Sequence, residues 1–328
     1  MIPVLDQTND LFNEKIQTPL AWSRSSIKDR SWLIDFPAAV IEELLGFVTV
    51  LRENPMQLEA IDTSDYDFSN CLELMRHVKE QLVNGMGLVV LNKLPITTLS
   101  KNEMKQIYWV LSGMIERPVA QSFDGRLLYD VIDTGKKIGV RTRGDLTNQE
   151  LSWHTDYGFN FPPPFIGLLA LKTAPQGGVS RVASMLNAHN LMFKMYPDFL
   201  RRLYQPFWWN RQGEHPVGDS TTHFFPIFSK DGNEVRGQYI KWLLYKGYEL
   251  KGEEFDELGQ SALEKMFDIM SDPNNHITFD LEPGQIQYIN NFSLAHSRTE
   301  YADSNKTREK RHLVRIFLRD RGRRSYMG

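Results

Sequence analysis

The feature that most constrains the fold is the uneven distribution of hydrophobic patterns along the chain. Helical patterns with a period of 3.6 residues lie mostly in the first half, and short strand patterns dominate the second half. The sequence lacks the regular alternation of strand and helix that is typical of parallel sheets. This distribution predicts a mainly β fold with flanking α-helices, a sandwich or barrel, in one domain over residues 1–328.

The individual elements follow from apolar periodicity, caps and turn signals. Helices are predicted over residues 36–53, 68–83, 100–115, 184–195 and 253–270. Strands are predicted around His154 and over residues 87–91, 127–132, 165–172, 179–183, 277–281, 286–289 and 312–318, with more short strands in the aromatic segment 205–245. The first 35 residues are expected to form an extended arm, and residues 136–146 a loop.

Composition and charge limit the classes of partner. No apolar run approaches the roughly 20 residues that span a bilayer, and the N-terminus lacks the pattern of a signal peptide. The net charge of −3 argues against general affinity for nucleic acid. Cys71 is the only cysteine, so a thiolate zinc cluster is excluded and a reducing cytoplasm is expected. Any metal must therefore be held by histidine and carboxylate.

His154 and Asp156 form a candidate half of a metal site. In a strand, side chains two residues apart point to the same face, about 6.6 Å apart along the strand. An imidazole and a carboxylate at this spacing can converge on one ion. The alternative is a surface or capped pair at the end of a strand.

The last predicted strand carries arginines on one face. Val314 and its neighbours of the same parity form an apolar face, whereas Arg311 and Arg315 alternate with apolar residues on the other. Burying guanidinium groups is costly unless anions satisfy them. A small dicarboxylate bound beside a metal would explain this face, and pairing with acidic residues at a sheet edge is the alternative.

His296 is the candidate for the third ligand. It is expected on a loop between two strands, fifteen residues before Arg311. As an isolated histidine it could equally be structural. With His154 and Asp156 it would complete the set of two imidazoles and one carboxylate that non-haem Fe(II) oxygenases use.

Taken together, these residues resemble those of a known family, the Fe(II)- and 2-oxoglutarate-dependent dioxygenases, and within it the taurine dioxygenase and clavaminate synthase-like group. The resemblance covers roughly residues 85–319. It rests on the order and spacing of Gly85-Met-Gly-Leu-Val-Val-Leu, Leu151-Ser-Trp-His-Thr-Asp, Gly177-Gly-Val-Ser, Pro283-Gly-Gln-Ile-Gln-Tyr-Ile-Asn-Asn, and His296 followed by Arg311-His-Leu-Val-Arg315.

The resemblance implies a double-stranded β-helix, or jelly roll, with its core at about residues 85–319 and an N-terminal helical buttress. It implies Fe(II) held by His154, Asp156 and His296. It also implies that O2 and 2-oxoglutarate are consumed, with release of succinate and CO2 as hydrogen is removed from a substrate carbon. Because related halogenases lack the carboxylate, Asp156 favours hydroxylation, although desaturation and ring formation use the same ligands.

The resemblance further assigns the cosubstrate site. Arg311 would hold the distal carboxylate of 2-oxoglutarate, with Ser180 standing where the family commonly has threonine. Arg315 matches a second arginine that binds either cosubstrate or an anionic group of the substrate. The chain departs from the family pattern at Ser180 and at Gln285, where an acid or similar polar residue is usual.

Substrate identity is less constrained. An available Arg315 suggests a small anionic or zwitterionic substrate, such as an amino acid or a sulfonate. Glu150 could reach the pocket or form a surface pair, and a loop with Arg211, Glu214 and His215 could act as a lid. Family members are often oligomeric. The rival interpretations are a zinc hydrolase with the same triad and a non-catalytic jelly-roll module that binds a ligand.

Overall fold

A computed structural model describes residues 7–8, 11–135, 144–303 and 310–327. The helices are α1 Ala38–Glu53, α2 Ser69–Val83, α3 Lys101–Gly113, α4 Met185–Met195, α5 Pro197–Leu203, α6 Lys241–Lys251 and α7 Glu257–Ser271. Within these described ranges, no helix is both long and apolar enough to cross a membrane.

The strands in chain order are short. They are β1 Gln7–Thr8, β2 Leu33–Ile34, β3 Leu88–Leu91, β4 Pro118–Val119, β5 Leu128–Val131, β6 Leu151–His154, β7 Phe165–Lys172, β8 Gln176–Gly177, β9 Ser180–Ser184, β10 Phe207–Asn210, β11 Thr222–Phe225, β12 Phe228–Asp231, β13 Glu234–Gly237, β14 His276–Phe279, β15 Ile286–Asn290, β16 Leu294–Arg298, β17 Tyr301–Ala302 and β18 His312–Leu318.

Two sheets form the centre of the fold. The larger has the order β2-β3-β15-β7-β18-β4, with β5 also paired to β18, and the smaller has the order β14-β9-β16-β6. All pairings in these two sheets are antiparallel except that of β2 with β3. The predicted fold class, a mainly β jelly roll with flanking helices, is confirmed.

The larger sheet separates two hydrophobic clusters because alternate side chains of β18 point to opposite faces. Val314 and Ile316 pack in one cluster with Ile107 of α3, on the helical side. Leu313 packs in the other cluster, which also contains Val182 of the smaller sheet. Arg315 in β18 and Arg311, one residue before the strand, share the parity of Leu313, so both point between the two sheets.

Most predicted elements are confirmed with small shifts at their ends. Strands 165–172 and 312–318 have the predicted limits, and the capping box of Ser100 and Glu103 opens α3. The predicted loop 136–146 falls mainly on residues 136–143, which lie outside the described ranges. Residues 144–146 form a short 3-10 turn.

Two features were predicted wrongly. His296 lies within β16 and not on a loop, because Asn290 closes a tight turn after β15. The Oδ1 atom of Asn290 accepts hydrogen bonds from the backbone nitrogens of Phe292 (3.0 Å) and Ser293 (3.1 Å). Strand pairing therefore resumes at Leu294, in the smaller sheet. The segment 205–245 contains the start of α6 as well as strands, and residues 238–240 contribute only an isolated bridge to His154.

The N-terminus of α2 is capped from another helix. Glu43 of α1 accepts hydrogen bonds from the backbone nitrogens of Asn70 and Cys71, each at 2.8 Å. Burial alone would raise the pKa of Glu43, but these hydrogen bonds outweigh it and lower the pKa to about 2. The carboxylate therefore joins two helices of the buttress and satisfies donors that the helix itself leaves unpaired.

Replacing Glu43 with alanine is expected to lower the free energy of unfolding at pH 7 by about 1–2 kcal/mol, as loss of a helix cap does. Because the pKa of Glu43 is depressed in the folded state, its contribution is present above the usual value of 4.5 and is lost as the pH falls toward 2. Urea denaturation at several pH values measures this effect. Glu42→Ala, on an exposed neighbour, is the control, and equal stability of the Glu43 and Glu42 variants at pH 7 would contradict the capping role.

Candidate active site

The three predicted metal ligands meet where two strands of the smaller sheet pair. His154 of β6 lies directly opposite His296 of β16, and their ring centroids are 4.1 Å apart. The Nε2 atoms of His154 and His296 lie 3.4 Å and 3.8 Å from Oδ1 of Asp156. One candidate ligand atom from each residue lies within 4.8 Å of the other two. The structure thus places two imidazoles and one carboxylate around a single point.

The hydrogen bonds and burial of the histidines suit metal binding. Nδ1 of His154 lies 2.8 Å from the carbonyl oxygen of Ser152, an acceptor that requires Nδ1 to carry the proton. Nε2 is the ring nitrogen on the side of Asp156 and the one available to a metal. Burial lowers the pKa of His296 to about 3, and nearby His154 adds to this effect, so His296 is neutral at pH 7. Two imidazoles and one carboxylate are a donor set suited to Fe(II).

Arg315 orients the carboxylate of the triad. Its Nη1 lies 3.2 Å from Oδ2 of Asp156 and 2.9 Å from Oδ2 of Asp145, and its Nε donates to Oε1 of Gln121 at 2.8 Å. Burial alone would raise the pKa of Asp156, but Arg315 and the two imidazoles outweigh it and hold that pKa well below its usual value. Asp156 is thus an anion with Oδ1 toward the histidines and Oδ2 toward Arg315.

A small cavity of about 60 Å³ is lined by all three triad residues and also by Ser180 and Arg311. Arg311 is only 6% exposed, and its Nη1 has no hydrogen-bond partner among the described residues. Burial and the neighbouring charge of Arg298 lower the pKa of Arg311 to about 10. A buried cation with an unused donor is costly unless an anion binds it, so the cavity fits a carboxylate.

A larger cavity of about 290 Å³ also opens on the triad. Apolar and aromatic side chains, including Trp153 and Leu243, form most of its wall. Its charged residues include Asp145 and Arg315, which line the smaller cavity as well. The two cavities therefore meet at the triad, one with the size and charge for a small carboxylate and the other with room for a larger molecule.

The remaining candidates lie farther from the triad. Glu150 forms an ion pair with Arg181, as the surface-pair interpretation predicts. In the predicted lid loop, Arg211 is buried and its Nε donates to Oδ1 of Asn160 at 2.7 Å, which anchors the loop. Gln212 of this loop lines the larger cavity, whereas neither Glu214 nor His215 does. Gln285 hydrogen-bonds within the turn before β15, where its Oε1 accepts from the backbone of Glu282.

Asp145, Gln121 and Arg298 are site residues that the sequence did not indicate. Asp145 sits in a loop without a pattern, and Gln121 follows a strand of only two residues. Arg298 could have been found from its spacing, because it lies two residues after His296. If that segment is assigned to a strand, the two side chains share one face of the sheet.

Comparisons with known proteins identify a matching family and a related protein. The sequence model of the family described as "Taurine catabolism dioxygenase TauD, TfdA family" matches residues 53–317. FR-33289 synthase from Streptomyces rubellomurinus is 27% identical over 303 residues, which cover 90% of this chain and 88% of that protein.

Solved structures of two oxygenases share the fold. Asparagine oxygenase in complex with Fe(II), 2S,3S-3-hydroxyasparagine and succinate has a TM-score of 0.68 at 16% identity, covering 88% of this chain and 94% of its own. The non-heme iron oxygenase OrfP in complex with Fe and alpha-ketoglutaric acid has a TM-score of 0.61 at 13% identity, with the same coverage of each chain.

Proposed function

The chain belongs to the TauD/TfdA family of Fe(II)- and 2-oxoglutarate-dependent dioxygenases, and from this premise we propose that it hydroxylates an aliphatic carbon of a small zwitterionic, amino-acid-like molecule. In such enzymes, bound Fe(II) together with O2 and 2-oxoglutarate supplies the oxidising power, and succinate and CO2 are released. The protein supplies the geometry around these groups. The alternative of a zinc hydrolase would give Arg311 no role.

We assign the groups as follows. His154, Asp156 and His296 hold Fe(II), and Ser180 and Arg311 bind the distal carboxylate of 2-oxoglutarate. The observation that carries the proposal is the small cavity, because the triad and the buried Arg311 line the same space. A cosubstrate with a carboxylate at each end of a five-carbon chain can engage both.

The sequence suggested that Arg315 binds an anionic group of the substrate, and we propose a different role for it. Its guanidinium already contacts Asp145 and Asp156, so we assign it to orienting Asp156 rather than to binding an anionic group of the substrate. With Asp156 held through Oδ2, its Oδ1 stays directed at the metal position. Asp145 and Arg315 are also among the charged residues that line the larger cavity, next to the triad.

The larger cavity is the proposed substrate site. Its apolar wall excludes water from the reacting carbon, and its few charged groups can fix the orientation of a polar end. Two solved relatives support an amino-acid-like substrate: the asparagine oxygenase complex contains a hydroxyasparagine, and OrfP has been solved with L-Arg. The loop anchored by Arg211 forms part of the wall through Gln212.

An anaerobic titration tests the proposed function. Adding Fe(II) and then 2-oxoglutarate to the protein should produce the weak visible charge-transfer band of an Fe(II)-keto acid chelate. After O2 is admitted, a panel of amino acids and sulfonates should show at least one amino acid that raises succinate formation above the substrate-free rate. Binding of metal without the band, and without consumption of 2-oxoglutarate, would refute the proposal and favour the zinc hydrolase.

A further inference from the structure

Arg298 contributes a second buried guanidinium to the small cavity. It lies two residues after His296 on β16, so its side chain points to the same face of the sheet. Its partner in the register of β9 is Ser180, and it lines the cavity together with Ser180 and Arg311. We propose that Arg298 is a second binding residue for the distal carboxylate of 2-oxoglutarate, an inference that rests on the proposed function.

Two like charges lie close together beside the small cavity. Arg298 and Arg311 both lie over the ring of Tyr301, with guanidinium carbons 4.7 Å and 5.1 Å from its centroid. Both side chains are only 6% exposed. The aromatic face attracts each cation but does not neutralise it. Two buried cations that share one ring are stabilised when an anion lies between or beside them.

The charged side chains around the cavity do not balance one another. Its lining contains the guanidinium groups of Arg298, Arg311 and Arg315, against the carboxylates of Asp145 and Asp156. Both carboxylates are engaged by Arg315, and three positive charges against two negative ones leave the lining with an excess of one positive charge, on the side of Arg298 and Arg311. Arg181 also lines the cavity, but its charge is matched by Glu150. Bound Fe(II) adds two further positive charges, so a dianion is the complementary ligand.

Hydrogen bonds to backbone carbonyl groups fix the guanidinium of Arg298. Its Nη2 donates to the carbonyl oxygens of Thr147 (3.0 Å) and Gln149, and its Nε donates to that of Thr299 at 3.3 Å. These neutral acceptors hold the guanidinium in place without cancelling its charge. Arg298 is therefore a fixed cation, in contrast to a flexible surface arginine, and fixed donors lose little entropy when a carboxylate binds.

The same hydrogen bonds allow a purely structural explanation, in which Arg298 only ties residues 147–149 to β16. A pair of ligands separates the two roles. 2-Oxopentanoate has the same chain length as 2-oxoglutarate but a methyl group in place of the distal carboxylate. A residue that binds this carboxylate affects only 2-oxoglutarate, whereas a structural tether affects both ligands.

The experiment uses Arg298→Gln, which keeps a donor for the carbonyl groups and removes the charge. Calorimetric titration of the Mn(II)-loaded full chain, without O2, should show 2-oxoglutarate binding weakened on the order of 10- to 100-fold. Binding of 2-oxopentanoate should change less than about twofold, because it makes no charge-assisted hydrogen bond at this position. Arg298→Lys should recover part of the loss, and Mn(II) affinity and the thermal transition should stay as in the wild type.

Equal weakening of both ligands, or no weakening of either, would overturn the inference. The Arg298→Lys variant keeps the test open if Arg298→Gln does not fold, since it too should discriminate between the ligands. The wild-type titration separates this outcome from failure of the proposed function: a wild-type protein that does not bind 2-oxoglutarate refutes the function itself. A wild type that binds it, with variants that bind equally well, refutes only the role of Arg298.

Discussion

Replacing Asp156 with asparagine is expected to abolish turnover of 2-oxoglutarate and to weaken Fe(II) binding by more than about 100-fold. The estimate follows because losing a hydrogen-bond partner of a metal ligand alone typically costs about 10- to 100-fold, and here the charged ligand itself is lost. Asparagine has nearly the same volume, so the packing around Arg315 is kept. The negative charge that balances Fe(II) and Arg315 is removed.

Two measurements check this expectation. Anaerobic titration with Fe(II) and 2-oxoglutarate follows the charge-transfer band, and an assay of succinate follows turnover. Asp130→Asn is the matched control, because Asp130 forms ion pairs with Lys105 and His312 and lies outside both cavities at the triad. If the Asp156 variant retained both the band and turnover at the level of the control, the assigned ligand set would be wrong.

Replacing Arg311 with alanine is expected to raise the 2-oxoglutarate concentration needed for half-maximal turnover by about 100-fold. Truncating one member of a buried, hydrogen-bonded charge pair costs about 3 kcal/mol, which corresponds to this change in affinity. The turnover rate at saturating cosubstrate should fall much less, since the proposed role of Arg311 is to bind the distal carboxylate and not the reacting atoms. Its Nη1, which has no partner in the described part of the chain, is the donor that we assign to this interaction.

Arg319→Ala provides the matched control for Arg311. Arg319 follows the same strand with the same parity and is equally buried, but its described hydrogen bonds go to the carbonyl oxygens of Phe161, Arg321 and Arg323. Its loss should lower stability and leave the dependence on 2-oxoglutarate unchanged. A similar rise in both variants would show that loss of packing, and not loss of a carboxylate contact, causes the effect.

The parts of the fold that could be predicted from sequence are those governed by local periodicity. The alternation in β18 placed Arg311 and Arg315 on the face opposite Val314, and the structure has that arrangement. The spacing of His154 and Asp156 predicted one shared strand face, but β6 ends at His154 and Asp156 lies in the turn that follows, which still brings its carboxylate to the two imidazoles. Helix α6 was missed because its aromatic residues resemble a buried strand segment and because Gly247 looks like a helix breaker. In the fold, the absence of a side chain at Gly247 lets α6 approach the backbone of Trp208 closely.

The parts that could not be predicted depend on contacts between distant segments. Gln121 hydrogen-bonds to Arg315 across 194 positions of sequence, and no local pattern connects the two. Asp145 gains its role only because the chain before β6 folds back over β18. The assignment of His296 to a loop failed because a side-chain-closed turn at Asn290 moves the chain from one sheet to the other within three residues.

The excess of arginine around the small cavity also couples the folding of the protein to metabolism. Fe(II) and 2-oxoglutarate bind the folded chain and not the unfolded one, so each adds to the free energy of unfolding. A ligand at 100 times its dissociation constant contributes about 2.7 kcal/mol. Without a bound anion, the buried guanidinium groups of Arg298 and Arg311 repel each other. The native state of the ligand-free chain is therefore less stable than that of the ligand-bound chain. The cellular lifetime of the protein, and not only its rate of catalysis, should therefore follow the supply of ferrous iron and 2-oxoglutarate.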